Sequence, residues 1–270
     1  MSDVQSSLHQ LGAMDQLARG ETPIHRLDPR AKILATLCFV ITAVSFGKYE
    51  ISGLLPLAIF PIAIASIGGI PAGFILRRML LALPFVLFVG LFNPLLDREI
   101  VLRLGGLPLS GGWVSFLSIM LRSALTLGTA LLLVATTGMP GICAGLERLG
   151  VPRVFAVQLL FLYRYLFVLG EEAVRLSRAR ALRSFDGRGM GLKVAASILG
   201  SLLLRTIDRA ERIYVAMRSR GFDGEVRLLR RPRFTLADAA FVAAWAVFFA
   251  AARIWNLPGL LGALVTGGIG

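Results

Sequence analysis

Residues 154–169 read VFAVQLLFLYRYLFVL, and whether this stretch crosses a membrane decides how the rest of the chain is arranged. It is apolar enough to be tempting as a span, but Arg164 stands in its middle. A second apolar stretch, 192–204, is shorter than the roughly 20 residues a spanning helix needs. If both crossed, Arg175, Arg178, Arg180, Arg183 and Arg188 would all be exported. Both are therefore read as helices of one cytoplasmic or membrane-skirting unit.

Outward from that unit lie five apolar runs of spanning character: 31–46, 51–75, 79–96, 113–138 and 234–255. Asp28 and Pro29 open the first as an N-cap followed by proline at the first helical position. Pro56, Pro61, Gly68, Gly69 and Pro71 punctuate the second and predict a kinked span. Thr235 and Asp238 open the last as a variant capping box. The stretch LGGLPLSGG at 104–112 reads as an external turn or hairpin. The first 27 residues are polar and mixed in charge, so no cleavable signal peptide is expected.

The 270 residues are 56% hydrophobic and 17% charged, yet carry a net charge of +13. That hydrophobicity excludes a disordered polycation and argues against a soluble nucleic-acid binder. The basic residues fix an orientation instead. With the N-terminus cytoplasmic, 24 of the 29 lysines and arginines fall inside, and only Lys48, Arg98, Arg103 and Arg253 fall outside. The expected layout is a cytoplasmic segment 1–30, transmembrane helices in 31–138, a cytoplasmic helical unit in 139–233, and a last transmembrane helix with an external C-terminus in 234–270. The fold class is thus an all-α integral membrane protein with about five transmembrane helices and a unit of two long helices. Arg122 lies within the fourth span. Either it snorkels outward or it meets a polar partner, with Asn93, Asp97 and Glu99 nearest in sequence terms.

Residues 139–233 hold 18 basic and 8 acidic side chains. A long helix is expected from Pro152 towards Arg183, and a second over 203–220. In the second, Leu203, Ile207, Ala210, Tyr214 and Met217 form an apolar stripe and Asp208 pairs with Arg212. Both helices end alike, ALRSFDG at 181–187 and RSRGFDG at 218–224. A small residue that tolerates positive φ ends a helix, and an arginine in the last turn suits its dipole. Capping alone does not require the same Phe-Asp-Gly twice.

With these residues the chain resembles the transmembrane T component of energy-coupling factor (ECF) transporters, most closely the cobalt-type, CbiQ-like branch. Asp15-Gln16-Leu17-Ala18 and the stretch Pro23-Ile24-His25-Arg26-Leu27-Asp28-Pro29-Arg30-Ala31-Lys32 are similar to the family's N-terminal segment. Leu146-Glu147-Arg148-Leu149-Gly150-Val151-Pro152 looks like its leucine–glycine–proline turn. The two arginine endings match its paired Ala-Arg-Gly-type motifs, with Leu182 and Ser219 in place of the alanines and Ser184 in place of one glycine. The resemblance implies that Arg183, Ser184, Arg220 and Gly221 couple to two cytoplasmic ABC ATPase subunits. It also implies a separate membrane S component that captures the substrate. Phe155, Leu159, Leu162, Tyr163 and Phe167 are then the candidates to meet that component or lipid.

No phosphate loop is present; Gly47-Lys48 is followed by Tyr49. No catalytic constellation, cofactor motif or metal-ligand spacing appears. Cys38 and Cys143 form no CxxC, and His9 and His25 read as solvated side chains. The chain is expected to be a multi-pass inner-membrane subunit, not an enzyme, with no nucleic-acid partner. Cobalt is the favoured cargo of the complex, with nickel or biotin as alternatives. A secondary transporter or channel would be expected to line a path with ionisable residues, and a membrane enzyme needs a catalytic constellation near an interface.

Overall fold

The computed structural model describes residues 12, 14–48, 50–96, 100–104, 107–182, 191–224 and 234–254. Its elements are α1 (Pro23–Arg26), α2 (Pro29–Ser45), two 3₁₀ turns (Ser52–Leu54 and Pro56–Ala58), α3 (Ile59–Gly68), α4 (Ala72–Leu96), β1 (Ile100–Leu104), β2 (Leu107–Ser110), α5 (Gly111–Arg148), α6 (Arg153–Leu182), α7 (Leu192–Ser219) and α8 (Leu236–Ile254). The chain is an all-α membrane protein with one small antiparallel ribbon, β1 against β2. Among the described residues, four helices are long and apolar enough to cross a membrane: Ala72–Phe92 within α4, then α5, α6 and α8.

That set differs from the five runs read in the sequence. The first run is α2, only 17 residues long. The second is not one kinked span. Pro56 starts a 3₁₀ turn, and α3 is 10 residues long. It stops at Gly69, whose φ of +63° lets Ile70 N–H reach back to the Ala65 carbonyl at 3.0 Å. The third begins earlier than 79, at Ala72, and takes in Arg77 and Arg78. Arg78 lies over the Phe74 ring, 4.0 Å from its centroid. The stretch 154–169 belongs to α6, itself among the four.

The contacts fall into two compact units, one of residues 17–138 and 234–254 and the other of residues 14–16 and 139–224. The first unit contains the whole main hydrophobic cluster, with Phe39, Leu54, Leu57, Phe60, Leu132 and Phe249 at its centre. Its middle is aromatic. Phe39 stacks on Phe60 with centroids 5.2 Å apart, and Phe60 meets the Trp245 ring edge-on at 4.7 Å. Helices α4 and α5 approach closely at Gly90, where a β-carbon would stand 2.9 Å from the Phe116 ring.

Polar contacts tie this unit at both ends. At the start of α2, Asp28 Oδ1 accepts from Arg30 N–H at 2.9 Å, the expected N-cap. At the start of α8, Asp238 Oδ2 accepts from the Thr235 N–H and hydroxyl at 2.8 and 2.7 Å, the expected capping box. Asp238 Oδ1 also accepts from Asp28 N–H at 2.8 Å, joining the two helix starts across 210 residues. Lys32 is buried beside them and donates from Nζ to the Thr136 carbonyl at 2.9 Å. That carbonyl lacks its helical partner, because residue 140 is proline and Gly138 is non-helical at φ 69°, ψ 157°.

At the other end, Arg122 Nη2 donates to the Phe46 and Gly47 carbonyls at 2.8 and 3.1 Å. Arg253 donates to the Ser45 carbonyl at 3.2 Å and lies over the Phe46 ring. Two cations thus sit on the free carbonyls at the C-terminus of α2, where the dipole favours them. Arg122 therefore meets backbone carbonyls; Asp97 and Glu99, named with it in the sequence, lie outside the described residues. His25 is not solvated. It is half-buried, with its ring nitrogens 2.7 Å from the Thr22 hydroxyl and 2.9 Å from the Leu17 carbonyl. Burial holds its pKa below the ordinary value, and the Lys32 charge adds in the same direction against the Leu17 hydrogen bond. His9 lies outside the described residues.

Candidate functional site

The second unit starts immediately after Gly138 and is built from helices that leave much of themselves uncovered. The last stretch of α5 ends in a Schellman motif. Gly150 takes φ +104°, its N–H donates to the Glu147 carbonyl at 3.2 Å, and Val151 N–H donates to the Leu146 carbonyl at 3.1 Å. Pro152 then prevents continuation and α6 begins at Arg153. This is the leucine–glycine–proline turn picked out in the sequence. An exposed Arg153–Glu147 ion pair at 3.0 Å spans it.

Helix α6 carries Phe155, Leu159, Leu162 and Leu166 at helical spacing, and none of these is buried. Phe155 is 63% exposed and Leu162 64%. Tyr163 and Phe167 are half-covered and meet edge-on at 5.2 Å, and the Asp15 side chain hydrogen-bonds Tyr163. Ala156 is the one buried residue of α6.

Helix α7 is one continuous helix from Leu192, longer than the 203–220 expected from sequence. Its covered stripe is Ile198, Leu202, Thr206, Ile213 and Met217. The stripe read from sequence is mostly open instead: Leu203, Ile207, Ala210 and Tyr214 are exposed and only Met217 is half-covered. The reason is geometric. A single neighbouring helix covers one stripe, and α7 is apolar on more than one side through its N-terminal half. Among the described residues, no ion pair joins Asp208 to Arg212.

The end of α7 explains much of its repeated motif. Gly221 takes φ +76°, its N–H donates to the Arg218 carbonyl, and Phe222 N–H donates to the Met217 carbonyl, both at 3.0 Å. Phe222 is the hydrophobic residue of this Schellman motif and packs towards Phe161 of α6, centroids 6.4 Å apart. Arg220 is therefore the cap residue itself, held at φ −95°, ψ 12° with its side chain exposed. Arg183 and Ser184, the corresponding pair after α6, lie outside the described residues.

Sequence reasoning missed a groove between α6 and α7. It is lined by Leu169, Glu172, Leu202, Arg205, Thr206, Arg209 and Arg212. The arginine spacing on α7 was its only sequence signal, because the α6 side depends on how the two helices meet. Among the described residues, no group of three or more His, Cys, Asp or Glu side chains could hold a metal ion.

These features decide the comparison with known proteins. The profile of the cobalt transport protein family, CbiQ, matches residues 20–229. The chain belongs to that family. It is the transmembrane T component of an ECF transporter, working in a complex with other components. Among its relatives, the energy-coupling factor transporter transmembrane protein EcfT of Bacillus subtilis is 29% identical over 76% of this chain and 82% of its own length. EcfT of Thermosediminibacter oceani is 29% identical over 84% of this chain and 92% of its own length. The cobalt transport protein CbiQ of Rhodobacter capsulatus is 35% identical over 36% of this chain and 40% of its own length. The CbiQ profile takes in Gly150, Arg183, Ser184, Arg220 and Gly221, so both arginine endings lie within the family match.

Proposed function

We propose that this T component transmits the motion of two cytoplasmic ABC ATPase subunits to a separate substrate-binding S component, and that the complex imports cobalt. The arginine endings, Arg183-Ser184 and Arg220-Gly221, are the ATPase contacts. Phe155, Leu159, Leu162, Tyr163 and Phe167 face the S component or lipid. The subunit sits in the cell (inner) membrane with its N-terminus cytoplasmic. Residues 139–233 form the cytoplasmic coupling part, 31–138 hold the first transmembrane helices, and 234–270 hold the last with an external C-terminus. ATP is hydrolysed by the partners. Cobalt as cargo rests on the family description and on the name of the Rhodobacter capsulatus relative.

One observation carries the reading. Arg220 is exposed at the cap of a helix whose backbone exit is fixed by Gly221, so the guanidinium is presented at the end of an ordered helix. A guanidinium can bind a carboxylate or carbonyl pair bidentately, which lysine cannot. Truncating one partner of a buried interfacial charge pair costs ~2–5 kcal/mol. Arg183→Glu and Arg220→Glu should each abolish ATP-dependent cobalt uptake in cells expressing the whole transporter, and reduce ATPase recovered with the affinity-tagged chain. Normal uptake with either substitution refutes the coupling role. Uptake of nickel but not cobalt by the wild-type complex refutes the cargo and leaves the coupling role standing.

A further inference from the structure

We propose that α5 hinges at Gly138 during transport, and that Lys32 is the positioning residue that holds the near side of that hinge. The inference rests on the coupling role proposed above and says where in the chain the motion is taken up. The contacts divide the chain at this residue: α5 up to Gly138 belongs to the first unit, and Met139 onwards to the second. The helix is broken at the same place. Gly138 holds φ 69°, ψ 157°, a combination that glycine alone adopts without strain. Pro140 follows in the first turn of the outgoing segment, where an N–H would have no helical partner in any case. Glycine and proline at a sharp change of direction are what a hinge within a helix requires.

The incoming segment ends in carbonyls that no downstream N–H can meet. The Thr136 carbonyl, one of them, receives the Lys32 ammonium at 2.9 Å, a cation at a helix C-terminus where the dipole favours it. Lys32 stands in the first turn of α2, buried, with the charges of the buried Asp28 and Asp238 acting on it. A cavity of only about 10 Å³ adjoins it, walled in part by Thr36, Thr129 and Thr136, so the ammonium has little room to swing away. The Thr136 hydroxyl donates back to the Leu132 carbonyl at 2.8 Å and closes the last turn on itself. One residue on, the pairing stops. The Thr137 hydroxyl oxygen is buried and has no hydrogen-bond partner among the described residues. Clamped at 136 and unpaired at 137, α5 has its pivot confined to 137–140. Without the clamp, the turn would unwind back into the first unit and absorb motion that belongs to the second.

The test places spin labels at Leu117→Cys and Leu149→Cys, before and after Gly138, in a chain whose Cys38 and Cys143 are replaced by alanine. Both label positions are exposed. Double electron–electron resonance then gives the distance between them, which a straight helix would hold at ~48 Å. In the complete transporter, the wild-type distribution should lie below that value and shift between the nucleotide-free and ATP-bound states. Gly138→Ala with Pro140→Ala gives the Thr136 carbonyl a main-chain donor and makes α5 continuous. This variant should show the straight-helix distance in both states and lower uptake at least ~10-fold with the ATPases still bound. Lys32→Met, or the milder Lys32→Gln if methionine prevents folding, should broaden the distribution in the isolated chain. It should not do so in the straightened background, where the carbonyl has another donor; a lysine that only stabilised the fold would show no such difference. An unchanged wild-type distribution between the two states overturns the hinge even if every variant fails to fold, and so does normal uptake by the straightened chain. Equal broadening in both backgrounds, or none in either, overturns the part given to Lys32. Normal uptake by Arg183→Glu and Arg220→Glu would sink the ATPase contacts alone, since the wild-type distance shift still decides the hinge.

Discussion

The two units of this protein solve the same problem, how to place apolar helices, in opposite ways. The unit of residues 17–138 and 234–254 contains the whole main cluster of buried side chains. It is closed at one end by Asp28, Lys32 and Asp238 and at the other by Arg122 and Arg253. In the unit of residues 14–16 and 139–224, the buried hydrophobic residues among those described are Met14, Cys143 and Ala156, while Phe155, Leu162, Leu199, Leu203 and Tyr214 stand more than half exposed. In lipid, exposed leucine costs nothing and unpaired backbone costs much, so the stapled unit spends its polar residues on backbone groups. In water, each uncovered leucine or phenylalanine forgoes ~1.5–3 kcal/mol of burial. The open unit is therefore shaped for surfaces that other molecules supply, which is what a T component in a multi-component transporter needs.

The largest expected effect tests the closed unit. Lys32→Met removes the donor to the Thr136 carbonyl and the cation near two buried carboxylates. Breaking such an arrangement on one side should cost ~3–5 kcal/mol, read as a marked fall in the thermal unfolding midpoint of the purified chain. A change below about 1 kcal/mol would mean that this end does not hold the unit together.

Arg122→Leu should cost less, ~1–3 kcal/mol, because the Phe46 and Gly47 carbonyls lose their donor near an end that water can reach. The role assigned here is structural. The variant should insert, bind ATPase and transport at reduced stability, and a sharp loss of uptake with unchanged stability would give Arg122 a part in transport.

The smallest effect concerns pH. The His25 pKa is lowered by burial in the folded chain, so the neutral ring is the favoured form. Its contribution to stability is complete above roughly pH 6.5 and is lost as pH falls through the lowered value. Acidifying from pH 7 to pH 5 should therefore lower the unfolding midpoint of wild type slightly more than that of His25→Gln. Identical shifts would contradict the assignment of a neutral, hydrogen-bonded imidazole.

The local parts of this architecture are legible in the sequence and the long-range parts are not. Asp28-Pro29, Thr235 with Asp238, and Gly150 with Pro152 name their helix boundaries, because capping and chain reversal act over a few residues. A long helix from Pro152 towards Arg183 is legible for the same reason. The short α3 is not legible as such, because Pro56, Pro61 and Gly68-Gly69 predict kinks within one span, whereas Pro56 opens a 3₁₀ turn, Pro61 sits in the first turn of α3 and Gly69 ends it. The bond from Asp28 to Asp238 and the contact of Lys32 with the Thr136 carbonyl join residues far apart in the chain, and no local pattern announces them. In α7 the apolar stripe was read correctly as apolar, but which stripe α6 covers depends on tertiary contacts. Of the residues proposed to couple, the repeat itself is legible in the sequence, and the structure adds the backbone reason for Gly221 and Phe222.

The most direct test of the central claim is hydrogen–deuterium exchange of the full chain, alone and in the complete transporter with its ATPases and S component. The account predicts new protection over 155–167 and 199–224, with 29–45 and 236–254 already protected and unchanged. Protection gained chiefly within 29–45 and 236–254, with 199–224 exchanging as in the isolated chain, would contradict it.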